Sequence, residues 1–176
     1  MGCLCMSKKT GLKSKKAGLV ELFYENPLGR FTVRELAAKS MLSRSTVQYQ
    51  LKQLKEQGLI SKENQWIDNW YNRYRKTSYY VEKMYSCGLI DYLDQELAAS
   101  CVILFGSFRK GESVKESDID IFVECAKEKK LNLTKYEKKL GHTIELFTKP
   151  KITLLPKRLL NNVVNGIKLK GYFTIK

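Results

Sequence analysis

The chain has few of the residues that build soft-metal and disulfide sites. It contains one histidine, His142, and five cysteines among 176 residues, and no two cysteines have the CxxC spacing. A single histidine excludes a site made of several imidazoles, and an odd number of cysteines without CxxC argues against a disulfide framework or a zinc ribbon. The nucleophile-elbow pattern is also absent, so nothing indicates a serine hydrolase.

Long apolar runs are absent as well. No segment approaches the roughly 18 apolar residues that span a bilayer, and the first residues lack the apolar core of a signal peptide. Met6 stands where a myristoylation signal has serine or threonine. Because 43% of the residues are hydrophobic, enough for a core, the composition argues against wholesale disorder. We expect a soluble, cytoplasmic protein of one ordinary domain or two small ones, without membrane contact.

Negative charge is scarce relative to positive charge. The chain has 32 Lys and Arg residues against 18 Asp and Glu residues, which gives a formal charge of +14. Basic residues dominate segments 1–76 and 99–176. This balance favours DNA, RNA or nucleotide phosphates as partners, and a lysine-rich solubilising surface is the alternative. Residues 1–16 are rich in lysine and poor in apolar residues, which predicts a basic arm.

Residues 17–67 have the pattern of three helices and a hairpin. The first helix is predicted over residues 17–24, and Thr32 with Glu35 forms a capping box for the second. Ser43 is predicted to cap the third helix, which ends near Gly58. The predicted outer face of the third helix carries Arg44, Ser45, Gln48, Tyr49 and Lys52. Residues 60–66 are predicted to form the hairpin.

These segments resemble the helix-turn-helix of winged-helix transcription regulators. The resemblance rests on ELAA at 35–38, LSRSTV at 42–47, LKQL at 51–54 and GLI at 58–60. It implies that the third helix enters a DNA major groove, where Gln48 suits adenine and Arg44 suits guanine or phosphate. A winged helix that pairs only with proteins is the alternative. Met41 stands in the turn where glycine is usual, so backbone strain is expected there.

Residues 68–98 are predicted to form one connector helix that continues through Gly88. Its first part is dense in aromatic side chains, namely Trp70, Tyr71, Tyr74, Tyr79 and Tyr80. An aromatic stripe at helical spacing is more often core or a dimer interface than a base-stacking platform. We therefore expect the connector to pack against a second copy, giving a homodimer.

Residues 99–176 alternate between apolar strands and amphipathic helices. Strands are predicted at 101–105, 119–123, 143–147 and 167–173, and helices at 127–140 and 154–164. The predicted architecture of the chain is α+β: a winged helix-turn-helix, a connector helix and a C-terminal sheet domain over residues 99–176. Cys101 and Cys125 are expected to pack as small hydrophobes. His142 is expected at the surface.

Two carboxylates at the start of the second predicted strand point to metal chemistry. Asp118 and Asp120 are two residues apart, so they face the same side of the strand. Like charges on one face repel unless a cation neutralises them, and oxygen-only ligands select Mg²⁺ or Mn²⁺. Glu145, which lies between apolar residues of the third predicted strand, has the pattern of a third inward-facing carboxylate.

The first predicted strand of this domain ends in a candidate phosphate-binding turn. Gly106 lets the backbone approach phosphate oxygens, and the hydroxyl of Ser107 can hydrogen-bond them. Arg109 and Lys110 follow as candidate triphosphate ligands, and Gly111 allows the loop to turn. Metal ions and cationic side chains that neutralise phosphate charge are the requirements of phosphoryl-type transfer.

This combination resembles the nucleotidyltransferases of the DNA polymerase β superfamily, above all their minimal members. Those proteins have Gly-Ser, ten residues and then Asp-x-Asp, matched here by Gly106-Ser107 and Asp118-Ile119-Asp120. The resemblance covers residues 88–176. It implies that Asp118 and Asp120 bind two Mg²⁺ ions and that a third carboxylate helps to activate the attacking hydroxyl. Glu145 holds that third position, where the family usually has Asp.

The sequence favours an enzyme that moves a nucleoside monophosphate from an NTP, with ATP as the expected donor, to a hydroxyl acceptor. A side chain of a partner protein is one candidate acceptor, since the minimal members include antitoxins that modify a toxin. The alternative is a DNA-binding transcription regulator whose nucleotidyltransferase domain is inactive or serves as a ligand or partner module. RNA end modification is a third hypothesis.

Overall fold

The computed structural model describes residues 18–126 and 129–175, so the predicted basic arm lies outside the described residues. The first half of the chain is helical, with α1 Leu19–Glu25, α2 Val33–Ser40, α3 Arg44–Glu56, α4 Trp70–Ser86 and α5 Leu89–Leu97. The second half contains β1 Cys101–Leu104, α6 Gly106–Lys110, β2 Ile119–Glu124, α7 Thr134–Leu140, β3 Ile144–Lys149, α8 Lys157–Val164 and β4 Ile167–Gly171. None of the helices in these described ranges is long and apolar enough to cross a membrane.

The caps predicted for α2 and α3 are confirmed. The backbone N–H of Thr32 donates to Glu35 at 2.7 Å, and the N–H of Glu35 donates back to the Thr32 hydroxyl at 3.2 Å. The hydroxyl of Ser43 accepts from the N–H of Thr46 at 3.1 Å. Met41 makes the intervening turn with φ of 54°, in the left-handed region that glycine usually occupies. These caps fix where each helix begins, on either side of the turn at Met41.

The winged helix is closed by contacts that run from α1 to the hairpin. Ile60 pairs with Trp66 across the hairpin, which confirms the predicted wing. The Trp66 ring packs edge-on against Tyr24 of α1, with 5.1 Å between ring centroids. Phe23 and Leu36 are fully buried in the same core. The base of the wing is thus fastened to the end of α1.

The connector is two helices rather than the predicted single one. Gly88 has φ of 81°, a left-handed conformation that interrupts the helix and separates α4 from α5. The side chains at the start of α4 are also not core, because Trp70, Tyr71 and Tyr74 are exposed. The periodicity predicted helical structure in this segment correctly, but it did not show that the aromatic side chains at the start of α4 are exposed to solvent.

The sheet has the strand order β3-β2-β1-β4. β1 runs antiparallel to β2 and β4, and β2 runs parallel to β3. The helix predicted to begin at residue 127 begins at Thr134 instead, so Lys129 and Lys130 lie in an irregular segment rather than on a helix face. Cys101 and Cys125 are buried as expected, and burial raises the pKa of Cys101 to about 11.

The two faces of the sheet pack against different partners. Ile119, Ile121 and Val123 of β2 join a hydrophobic cluster that extends through α4 and α5 into the core of the winged helix. Phe122, on the opposite face, packs in a second cluster with Val163 of α8. The first cluster makes the winged helix and the sheet domain parts of one continuous core.

Candidate active site and nucleic-acid interface

Three carboxylates lie on the α8 face of the sheet. Asp120 is the second residue of β2, and the parallel register places Glu145 of β3 directly beside it. Asp118 precedes β2, two residues before Asp120. The alternation predicted from the sequence is therefore confirmed for β2, since Asp120 shares its face with Phe122 and not with Ile121. Asp120 is half-buried, while Asp118 and Glu145 are exposed.

Asp120 is the electrostatic centre of this group. Burial, followed by the negative charges of Glu145 and Asp118 and a side-chain hydrogen bond with Glu145, raises the pKa of Asp120 to about 6. The backbone N–H of Ser107 donates to the same carboxylate and opposes the shift. Because two other carboxylates lie near it, the ionised form of Asp120 would be stabilised by any cation that binds close to it.

Gly106 is required by the packing of this carboxylate. Its φ is 68°, and an added Cβ would lie 1.8 Å from Oδ2 of Asp120. The N–H of Phe105 also donates to the backbone oxygen of Asp120 at 3.0 Å. The glycine predicted to admit phosphate therefore also admits the carboxylate, and the turn and the acid are held in contact.

The short helix α6 divides the basic side chains that follow Ser107. At about 100° per residue, Lys110 lies about 60° from Ser107 around the helix, whereas Arg109 lies about 160° away. Lys110 is thus the predicted phosphate ligand that shares a side of α6 with Ser107. Gly111 ends the helix with φ of 71°, as its predicted role in the turn requires.

The donor chemistry of the three acids fits a hard divalent cation. All three offer oxygen, and their mutual repulsion on one face would be relieved by positive charge. Within residues 18–126 and 129–175, however, no three His, Cys, Asp or Glu side chains form a ready metal-binding group. Asp120 and Glu145 are joined by a side-chain hydrogen bond, and the charge of Asp118 acts on Asp120 without one.

Sequence reasoning missed the side chains that hold the loop between Ser107 and Asp118. Thr77 of α4 donates to the carbonyl oxygen of Phe108 at 3.0 Å, and Lys76 donates to that of Ser113. Both α4 residues are buried, and burial lowers the pKa of Lys76 to about 8. Nothing in their spacing distinguishes them from other polar residues of an amphipathic helix.

The expectation of a surface histidine was wrong. His142 is 6% exposed and packs edge-on against Phe108 and Tyr80. Its Nδ1 lies 3.0 Å from the carbonyl oxygen of Ser117, which can only accept, so Nδ1 carries the proton. Burial lowers the pKa of the ring. His142 therefore supports the residue immediately before Asp118 rather than a ligand.

The outer face of α3 is available to a partner. All five side chains predicted to contact DNA are exposed: Arg44, Ser45, Gln48, Tyr49 and Lys52. Lys52 lies 3.9 Å from Glu56 in a solvent-exposed ion pair, which is weak and leaves the lysine free to pair with phosphate. The Tyr49 hydroxyl accepts from Gln53 at 3.0 Å. No acid lies between Arg44 and Lys52 on the predicted reading face, and Glu56 follows one turn later.

Fold and site together define a two-domain protein in which a winged helix-turn-helix precedes a sheet domain of the nucleotidyltransferase type. Residues 88–169 match the family described as polymerase beta, nucleotidyltransferase, and residues 10–65 match the MarR family. The chain thus joins a MarR-type DNA-binding domain to a nucleotidyltransferase domain. A comparison with curated proteins finds no match.

Proposed function

We propose that the protein is a Mg²⁺-dependent nucleotidyltransferase that transfers a nucleoside monophosphate from an NTP, with ATP as the expected donor, to a hydroxyl group. The observation that carries the proposal is the contact between Gly106 and Asp120, with Glu145 in register beside that carboxylate. This contact joins a turn suited to phosphate with carboxylates suited to a metal. The divalent ion supplies charge neutralisation at the phosphates when bound, held by Asp118, Asp120 and Glu145.

The residues of the chain divide the remaining work. Ser107 and Lys110 bind the phosphates of the donor, and Arg109 contributes positive charge from farther around α6. Glu145 accepts the proton of the acceptor hydroxyl. The acceptor oxygen forms a bond to the α-phosphorus, the bond from that phosphorus to the bridging oxygen breaks, and pyrophosphate leaves. A hydroxyl-bearing side chain of a partner protein is the acceptor we favour.

The assay is incubation of the full-length protein with Mg²⁺ and α-³²P-labelled ATP, first alone and then with lysate fractions. Label covalently attached to an acceptor, dependent on Mg²⁺, supports the proposal. Absence of Mg²⁺-dependent labelling with ATP, GTP, CTP or UTP would count against an enzyme. It would favour the second candidate, a DNA-binding regulator whose sheet domain is a ligand or partner module.

DNA binding by α3 predicts a specific effect of salt. We expect Arg44→Ala to make the slope of log Kobs against log salt less steep by about 1, because one phosphate contact is lost. The measurement is fluorescence anisotropy with a labelled duplex of mixed sequence over a salt series. Arg158→Ala, which removes an exposed arginine from α8, is the matched control and should leave the slope unchanged. Equal slopes for wild type and Arg44→Ala would contradict the contact.

A homodimer is supported by the exposed face of α4. At helical spacing this face carries the exposed side chains of Tyr71, Tyr74, Ser78, Glu82 and Tyr85 and the half-buried side chain of Arg75, which donates a hydrogen bond to Gln57. Arg75 and Glu82 lie on opposite sides of Ser78, so two antiparallel copies would pair arginine with glutamate twice. The face borders a cavity of about 370 Å³ between α1, α3 and α4. A second copy of the chain that packed here would pair its charged side chains with those of the first copy and would cover the exposed tyrosines.

Charge reversal tests this interface. Glu82→Arg is expected to weaken association at least about tenfold, because like charges then meet across the two-fold axis. Adding Arg75→Glu to that variant should restore association. Sedimentation velocity over a concentration series gives the dissociation constants. A monomeric wild type, or a double variant no tighter than Glu82→Arg, would exclude this pairing.

A further inference from the structure

We propose that the winged helix sets the geometry of the nucleotide loop, residues 106–117, through the turn of α4 that contains Arg73, Lys76 and Thr77. Occupancy of the DNA-binding face and occupancy of the nucleotide site are then linked. The inference rests on the proposed function, and it assigns to three α4 residues a positioning role in the nucleotide site.

Side chains and backbone on one side of this α4 turn contact the nucleotide loop directly. Thr77 donates to Phe108 O at 3.0 Å and lies 3.3 Å from Arg109 O. Arg73 donates to Glu112 at 2.6 Å. Gly111 fits so closely that an added Cβ would lie 2.4 Å from the backbone oxygen of Arg73. The loop that joins Ser107 to Asp118 therefore follows the position of α4.

Lys76 joins the loop to the winged helix. It is 1% exposed, and its Nζ donates both to Ser113 O and to Tyr24 O, the latter at 2.7 Å. A direct backbone hydrogen bond runs parallel to it, from the N–H of Lys115 to Glu25 O at 3.0 Å. Because a buried ammonium and buried carbonyls are costly to leave unpaired, the end of α1 and the loop cannot shift independently without loss of these bonds.

The same turn of the chain reaches the wing. The Tyr24 ring packs on Trp66 at the wing base. Asn72, one residue before Arg73, donates to Gly58 O at 2.9 Å and to Ile67 O at 2.8 Å. Contacts therefore continue from the end of α3 and the wing, through Tyr24 and α4, to the loop that precedes Asp118. A DNA duplex that moves the wing alters the end of this path, and binding linkage makes the effect reciprocal.

The experiment measures Mg–ATP affinity by isothermal titration calorimetry with and without saturating 20-bp duplex DNA of mixed sequence, on the full chain. We expect DNA to change the dissociation constant of the wild-type protein for Mg–ATP by at least about fivefold. Mg–ATP should change the affinity for DNA by the same factor, which is the coupling factor. Lys76→Met should bring this factor close to one and increase hydrogen exchange at residues 106–117. Lys83→Met is the matched control, since Lys83 pairs with Glu21 of α1 and has no hydrogen bond to the loop.

A second pair of variants keeps the test decisive if Lys76→Met does not fold. Thr77→Val removes the hydroxyl with little change of shape and should lower the coupling factor, whereas Thr77→Ser keeps a donor and should restore it. A wild type that binds both ligands with a factor near one would overturn the coupling alone, as would full coupling in both Lys76→Met and Thr77→Val. A wild type that binds DNA but no Mg–ATP would overturn the proposed function and this inference with it.

Discussion

Asp120→Asn is expected to lower the rate of nucleotide transfer at least about a thousandfold. The substitution keeps the size of the side chain, so Gly106 and the neighbouring strand need not move. It removes the negative charge at the most crowded position of the three acids, where burial and two neighbouring carboxylates already act on one group. Initial rates of label transfer at saturating Mg²⁺ measure the effect.

The same variant should gain stability while it loses activity. In metal-free buffer at pH 7, wild-type Asp120 carries a charge that the folded state disfavours, because its pKa is raised to about 6. Asparagine cannot carry that charge, so the variant should be more stable. Because solvent screens this half-buried group, we expect the free energy of unfolding to rise by about 1 kcal/mol. Thermal melting should therefore show a Tm higher by about 2–4 °C.

Glu116→Gln provides the control for charge in the same loop. Glu116 is an exposed acid two residues before Asp118, and its neutralisation should leave both the transfer rate and Tm nearly unchanged. An Asp120→Asn protein that retains wild-type transfer would exclude Asp120 from the reaction. A lower Tm for that variant would contradict the repulsion argued for this group of acids.

Gly106→Ala is expected to weaken Mg–ATP binding about a hundredfold. Its Cβ would lie 1.8 Å from Oδ2 and 2.7 Å from Cγ of Asp120, so the carboxylate or the turn must move. Loss of one hydrogen bond to a charged phosphate or carboxylate costs about 1.5–3 kcal/mol, and the upper part of that range is on the order of a hundredfold in affinity. Isothermal titration calorimetry measures binding, and circular dichroism checks that the sheet domain stays folded.

Gly141→Ala separates the effect of this contact from that of backbone strain. Gly141 ends α7 with φ of 80°, and its added Cβ would meet nothing within 4 Å. Both alanine variants lose about 1 kcal/mol to the left-handed conformation, but only Gly106→Ala should lose nucleotide affinity. Equal affinities in the two variants would show that the contact between Gly106 and Asp120 has no part in binding.

Local chemistry made much of this molecule predictable. The capping box at Thr32 and Glu35, the cap at Ser43 and the apolar run at residues 101–105 depend on neighbours within a few positions, so the helix starts and the first strand could be predicted. The alternation in Asp118-Ile119-Asp120 also predicted that the two carboxylates lie on the same side of the strand, without knowledge of the neighbouring strands. Gly88 was harder, because a left-handed residue inside a helical pattern leaves the periodicity on both sides intact.

By itself, the sequence determined the two domain types, the carboxylates Asp118 and Asp120 at the start of β2, and the exposed face of α3, because each follows from short-range spacing. Tertiary structure alone decided that His142 is buried, that Lys129 and Lys130 precede rather than join α7, and that the start of α4 exposes its aromatic rings. It also decided that Lys76 lies between Tyr24 and Ser113. These outcomes depend on residues far apart along the chain, whose meeting is set by packing and not by local propensity.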